Sequence, residues 1–256
     1  MNSIEIKSVA FVRLLNIMDE LREKCPWDKK QTFETLRNLT IEETYELVDA
    51  ITDKDITGIK EEIGDLFLHL VFYAKMGDEQ NAFDVADALN SVCDKLIHRH
   101  PHIYGDVIVR DEEEVKANWE KLKLKEGKKS VLQGVPKSLP ATIKAMRMQE
   151  KAAKVGFDWE TKEQVWKKVE EEMLELKEAL SETPQRREEE FGDLMFALIN
   201  YARFIGVDPE NALESTNRKF KKRFEYIEIH APTPLDEMSL TQMDALWNQA
   251  KLTEKI

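Results

Sequence analysis

A chain of 256 residues with 42% apolar side chains has enough material for one large or two modest cores, which argues against a disordered polymer. Its charged fraction of 34%, with only 9 glycines and 8 prolines, favours helices over sheets. A net charge of −12 argues against nucleic acid as the default partner, because phosphate-backbone binding rests on a basic surface; a phosphorylated small molecule remains open if a metal ion intervenes.

In chain order, the first twenty residues carry apolar side chains at helical spacing and lack a long apolar run. No later stretch reaches the roughly 18 to 20 apolar residues of a membrane span, so we expect a soluble cytoplasmic protein with no membrane partner. The opening helix leads to CPWD at 25–28, and IEETYELVDA at 41–50 and EEIGDLFLHLVFYAKMG at 61–77 follow. MGDEQ at 76–80 reads as a turn, ALNSVCDKLIHRH at 88–100 as another helix, and Trp119 with Lys123 as part of a closing one. KEGKKSVLQGVPKSLP at 125–140, with two glycines, two prolines and little periodicity, reads as a linker. Cys25 and Cys93 form no CxxC pair, so neither a disulfide framework nor a thiolate zinc site is indicated.

Beyond the linker the chain repeats itself. A helix leads to GFDW at 156–159, VEEEMLELKEAL at 169–180 echoes 41–50, and EEFGDLMFALINYARFIG at 189–206 echoes 61–77. GVDPE at 206–210 is a turn in which Asp208 caps the next helix and Pro209 takes its first position. ALESTNRKFKKRF at 212–224 aligns Lys219 with Lys95 and Arg223 with Arg99, and Trp247 with Lys251 matches Trp119 with Lys123. The expected fold is all-α, two tandem copies of a bundle of four or five helices, spanning 1–129 and 130–256.

The stretch 169–180 holds five glutamates and one lysine, which asks for an explanation. At about 100° per residue, Val169, Met173, Leu176 and Leu180 form an apolar stripe with Glu172, Glu175 and Glu171 on its flank. On the next helix Phe191, Leu194, Met195, Leu198 and Ala202 make the stripe, with Glu190 and Asp193 on a like flank. Packed side by side, these helices bring Glu172, Glu175, Glu190 and Asp193 together at the edge of the core. No lysine or arginine is expected on these flanks, so a divalent cation is the economical counter-charge, and an all-oxygen set favours Mg²⁺, with Mn²⁺ as a substitute, over zinc. A single ExxE helix is ordinarily a solvated face; EExxE followed by ExxD, written twice, is not.

The first copy offers Glu42, Glu43 and Glu46, then Glu62 and Asp65, as a second metal set. His69 stands there where the second copy has Ala197, as a ligand, a hydrogen-bonding neighbour or a polar edge residue. His98, His100 and His102 invite a zinc reading that Pro101 weakens by breaking the helical register. A di-iron bundle would need ExxH on two helices, and no histidine follows a glutamate at that spacing.

EExxE, then ExxD, then NxKFxxR, together with CPWD and RHPH, resembles the MazG family of nucleoside triphosphate pyrophosphohydrolases, within the all-α NTP pyrophosphatases, over nearly the whole chain. The resemblance implies a homodimeric hydrolase that converts nucleoside triphosphates to monophosphate and pyrophosphate with Mg²⁺, mainly in the C-terminal copy. It places metal on Glu172, Glu175, Glu190 and Asp193, phosphate contacts on Lys168, Lys219 and Arg223, and the nucleotide near Asn217, Trp247 and Lys251. Glu43, Glu46, Glu62 and Asp65 are the matching metal positions of the first copy, where Cys93 replaces Asn217. The residue types suit the chemistry: carboxylate-held metal polarises phosphoryl oxygens, and Lys219 and Arg223, neighbours on one helix, steady departing ones. Glu171 or Glu175 is the candidate general base. The rival reading is a non-catalytic acidic adaptor, or an N-terminal copy that docks a protein regulator.

Overall fold

The structure, a computed structural model, describes residues 2–111, 114–115, 118–119, 122 and 130–253. They form α-helices, two short 3-10 turns and no strand. The chain divides into two compact units, Met1–Val115 and Lys116–Ile256. The boundary expected at 129/130 meets the stretch 123–129, which lies outside the described residues, as does Lys123.

The first unit contains α1 (Ile4–Lys24), α2 (Phe33–Thr52), α3 (Ile56–Glu79), α4 (Val85–Arg99) and the single turn α5 (Pro101–Tyr104). Thr32 starts α2 with a capping box: its hydroxyl accepts from the Thr35 backbone N–H, and the Thr35 hydroxyl accepts from that of Thr32. Three residues separate α2 from α3, which forces an antiparallel pair. α3 packs against α1 and α2 around Met18, Leu36, Val71, Phe72 and Met76. The guanidinium of Arg22 ties this end together, donating to both oxygens of Glu79 (2.8 and 2.5 Å) and to the carbonyls of Asp28 (2.5 Å) and Gln31 (3.2 Å).

The turn expected at 76–80 is instead the last turn of α3. Gly77 is not a breaker but a close approach, because a Cβ there would lie 2.7 Å from the Phe83 carbonyl oxygen and 2.8 Å from its ring. The chain reverses just beyond, through Asn81 at φ 54°.

The second unit contains α6 (Ala141–Ala153), α7 (Lys162–Ala179), α8 (Pro184–Phe204), α9 (Pro209–His230) and α10 (Leu240–Thr253). Thr161 opens α7 with a capping box to Gln164, as Thr32 opens α2. Gly206, at φ 69°, ends α8 in the left-handed conformation, and Asp208 then accepts from the backbone of Glu210 and Asn211, as its place before Pro209 predicts. α7 and α8 form the antiparallel pair, α6 packs on α8, and α9 packs chiefly on α10.

The apolar stripes read from the sequence are buried only in part. α7 buries Val165, Val169, Glu172 and Ala179, while Met173 is 54% exposed and Leu180 64%. α8 buries Glu190, Ala197 and Ile199, while Phe191 is 57% exposed. The helices are rotated so that carboxylates enter the seam between them and much of the expected stripe faces out.

Candidate metal centre and adjoining cavity

Because α7 and α8 run antiparallel, the middle of α7 meets the first turns of α8. One oxygen each from Glu172, Glu175 and Glu190 lies within 4.8 Å of the others. Glu172 is 5% exposed and Glu190 1%, so water does little to relieve their repulsion. Contrary to the expectation of flanks without cations, Glu172 and Glu190 are each met by a cation from the preceding helical turn. Lys168 Nζ lies 2.6 Å from Glu172 Oε1 and 2.8 Å from Glu171, and Arg186 pairs with Oε1 of Glu190. The spacing reading missed this because Lys168 and Arg186 sit four residues before their partners, where long side chains fold along the helix.

Those cations satisfy only half of each carboxylate. Glu172 Oε2 and Glu190 Oε2 are buried with no hydrogen-bond partner. Burial first, then Glu175 and Asp193 nearby, push the Glu190 carboxyl above the usual range, against the pull of Arg186. Acceptor-only oxygens, buried, convergent and without a donor, suit a hard divalent cation, and the donor set holds no sulfur or imidazole. Glu171, exposed and bound to Lys168, lies outside this group of three.

Glu172 and Asp193 also line a cavity of about 730 Å³ within the second unit. Its other walls are Met148, Gln149 and Ala152 of α6, Phe157 and Trp159 of the GFDW stretch, and Phe196, Ala197, Asn200 and Arg203 of α8. Val131 and Leu132 contribute as well, so this part of the expected linker is wall rather than tether. Arg203 pairs with Asp158 (2.9 Å from Nη1 to Oδ2), which fixes the GFDW loop to α8. Gln149, Asn200 and this ion pair were not singled out from the sequence; the GFDW echo marked the loop but not its role.

Lys219, Arg223, Asn217, Trp247 and Lys251 do not line this cavity. They belong to the α9–α10 pair, where Trp247 meets Phe220 at 5.4 Å and lies under the Arg223 guanidinium at 5.4 Å and Lys251 at 6.0 Å. Asn217 donates to Glu214 at 3.3 Å. Lys168, by contrast, is both at the carboxylates and on the cavity wall.

The first unit brings Glu43, Glu62 and Asp65 together in the same way. Burial, then the charge of Glu46 and Asp65, pushes the Glu43 carboxyl up to about 7. Glu46 lies close enough to Glu43 to raise its pKa but does not join the group of three. Where the second unit has Ala197 and Asn200, the first has His69 and Phe72, both buried. His69 Nδ1 lacks a partner and burial lowers its pKa, so the ring favours the neutral form. His100 and His102 stand with ring centroids 5.6 Å apart, and no histidine joins either convergent group among the described residues.

Residues 31–104 match the MazG nucleotide pyrophosphohydrolase domain. A Thermotoga maritima protein named nucleoside triphosphate pyrophosphohydrolase/pyrophosphatase MazG is 43% identical over 251 residues, covering 95% of this chain and 96% of its own. The chain belongs to the MazG family. The Escherichia coli K12 nucleoside triphosphate pyrophosphohydrolase is 41% identical over 256 residues, covering 94% of this chain and 97% of the relative. The MazG domain match falls on the first unit, whereas the large cavity beside a carboxylate group is in the second.

Proposed function

We propose that this MazG-family hydrolase cleaves nucleoside triphosphates to monophosphate and pyrophosphate, by attack of water at the α phosphate, in its second unit and with Mg²⁺ or Mn²⁺. The observation that carries this reading is the pair of donor-less buried oxygens, Glu172 Oε2 and Glu190 Oε2, beside a cavity large enough for a nucleoside. Glu172, Glu175, Glu190 and Asp193 would hold the cation, which supplies Lewis-acid polarisation of the phosphoryl oxygens.

The chain's own residues account for the rest. Lys168, already at the carboxylates, offers a positive charge to the triphosphate as it enters. Glu175 is favoured over Glu171 for orienting the water and taking its proton, because Glu175 is in the convergent group and Glu171 is held by Lys168. Lys219 and Arg223 steady the pyrophosphate, and Asn217, Trp247 and Lys251 contact the nucleotide; these assignments rest on the motif resemblance alone. We assign little turnover to the first unit, since His69 and Phe72 occupy the positions that border the cavity in the second; docking of a protein regulator remains its alternative role.

The protein is proposed to be cytoplasmic and homodimeric. No described helix is long and apolar enough to cross a membrane, and both cysteines are free. The dimer is supported by Tyr45, Val48 and Ile51 on α2, Ile63, Phe67 and Leu70 on α3, and Met173, Leu180, Phe191 and Leu198 on α7 and α8, all exposed apolar side chains at helical spacing.

Incubation with mixed NTPs and Mg²⁺ in ¹⁸O-water tests the reaction. Monophosphate carrying the label, with unlabelled pyrophosphate, is expected. Diphosphate with orthophosphate, label in the pyrophosphate, or no turnover would overturn it.

A further inference from the structure

The loop between α6 and α7 lines one side of the cavity, and its ends are held differently from its middle. At its start the backbone N–H groups of Val155 and Phe157 each donate to the Ala152 carbonyl at 3.1 Å, with Gly156 between them at φ 86°. At its end those of Glu160 and Thr161 donate to Gln164 Oε1 at 3.0 and 3.2 Å. These bonds belong to the helix termini, and the middle is held by the Asp158 carboxylate. Its Oδ1 accepts from the Trp159 backbone N–H at 2.9 Å, and its two oxygens accept from the two Nη atoms of Arg203. Arg203 is itself fixed: Nε and Nη2 donate to Asn200 Oδ1 at 3.1 and 3.0 Å, and the guanidinium lies 4.6 Å from the Phe204 ring centroid. With side chains 17% and 26% exposed, Arg203 and Asp158 form a two-point bridge that solvent screens less than an open surface pair.

What this bridge holds is aromatic. Phe157 and Trp159 flank Asp158, both belong to the cavity wall, and both are open to a ligand, at 82% and 45% exposure. Aromatic area of this kind is covered well by another planar ring, which stacks through its π face and needs no matched hydrogen-bond edge. We propose that Asp158 and Arg203 are positioning residues that hold Trp159, with Phe157 beside it, as the wall on which the base of the bound nucleotide stacks. The inference rests on the nucleotide-hydrolase reading above and deepens it, because a site that grips the ring face accepts purines and pyrimidines alike. The wall is separate from Trp247, which does not line the cavity. The first unit lacks the device: Lys75 stands at the Arg203 position and pairs with Asp19 at 2.7 Å and Asp78 at 3.5 Å, so there the cation braces α1 instead of a loop.

The test compares ATP with ribose 5-triphosphate, which carries the same phosphates and no base. Wild-type enzyme is expected to favour ATP by about tenfold or more in kcat/KM, mainly through KM, the scale that base stacking on an aromatic side chain supplies. Trp159→Leu is expected to bring that ratio close to one. Asp158→Ala and Arg203→Met leave the ring but remove its brace, and each is expected to lower the ratio by about threefold or more. Arg203→Lys, which keeps the charge without the fork, is expected to fall between Arg203→Met and wild type. Asp158→Ala added to Trp159→Leu is expected to change the ratio no further, because no ring is left to position. Damage to folding alone lowers turnover of both substrates together and leaves the ratio where it was. A ratio unmoved by Trp159→Leu or by the brace variants, or one that Asp158→Ala lowers further in the Trp159→Leu background, would overturn the proposal. Wild-type enzyme with no preference for ATP overturns it without any variant. A wild type that releases pyrophosphate from neither substrate sinks the parent reading instead.

Discussion

Glu172 and Glu190 show how a charge is kept inside a seam: one oxygen takes a lysine or arginine from its own helix, and the other, left without a hydrogen-bond partner, is the one assigned to the proposed cation. Removing that second function without removing bulk separates chemistry from folding. Glu172→Gln and Asp193→Asn are each expected to lower kcat/KM by more than about a hundredfold while the helical circular dichroism stays as in wild type. Glu43→Gln, the corresponding change in the first unit, is expected to cost less than about threefold, because little turnover is assigned to that unit; a loss matching that of Glu172→Gln would assign turnover to both units. The carboxylates were legible in the sequence because ExxE and ExxD spacing survives translation into a helix face. The Asp158–Arg203 pair was not, since partners 45 residues apart share no spacing pattern and meet only once the helices have packed.

At the level of elements, helix starts were easier to read than helix faces. Asp208 before Pro209 marks its cap by local chemistry alone, whereas the stripes on α7 and α8 match the buried faces only in part because hydrophobicity was assumed to point inward. Here part of it points outward and the acids point in. The end of α3 was also missed, because Gly77 is required by its contact with Phe83 rather than by a turn. This end is secured by Arg22, whose hydrogen bond to Glu79 holds that carboxyl below its usual range. A depressed carboxylate contributes stability that is complete above its unfolded pKa and is lost as pH falls through the folded value. Glu79→Gln is therefore expected to be less stable than wild type at neutral pH in urea denaturation, the gap closing as the solution is acidified. Arg22→Ala, which also strands two backbone carbonyls, is expected to cost on the order of 2 kcal/mol.

For the whole molecule, the exposed apolar positions on both antiparallel pairs are what supports the proposed dimer. Light scattering at low micromolar concentration is expected to give about twice the chain mass, and introduction of aspartate at Phe191 and Leu198 together to return it to one; a wild type that stays monomeric would remove the dimer. The ordered echoes along the chain were readable, yet not the difference between the two units, which turns on two positions whose side chains either fill a space or open it.

That difference has a thermal consequence. The walls of the open cleft of about 730 Å³ in the second unit lack the packing partners that the filled core around Phe72 gives the first. Heating the ligand-free protein in a calorimeter should accordingly melt the hollow half before the solid one, and a bound nucleotide analogue should raise the earlier peak while leaving the later peak where it was.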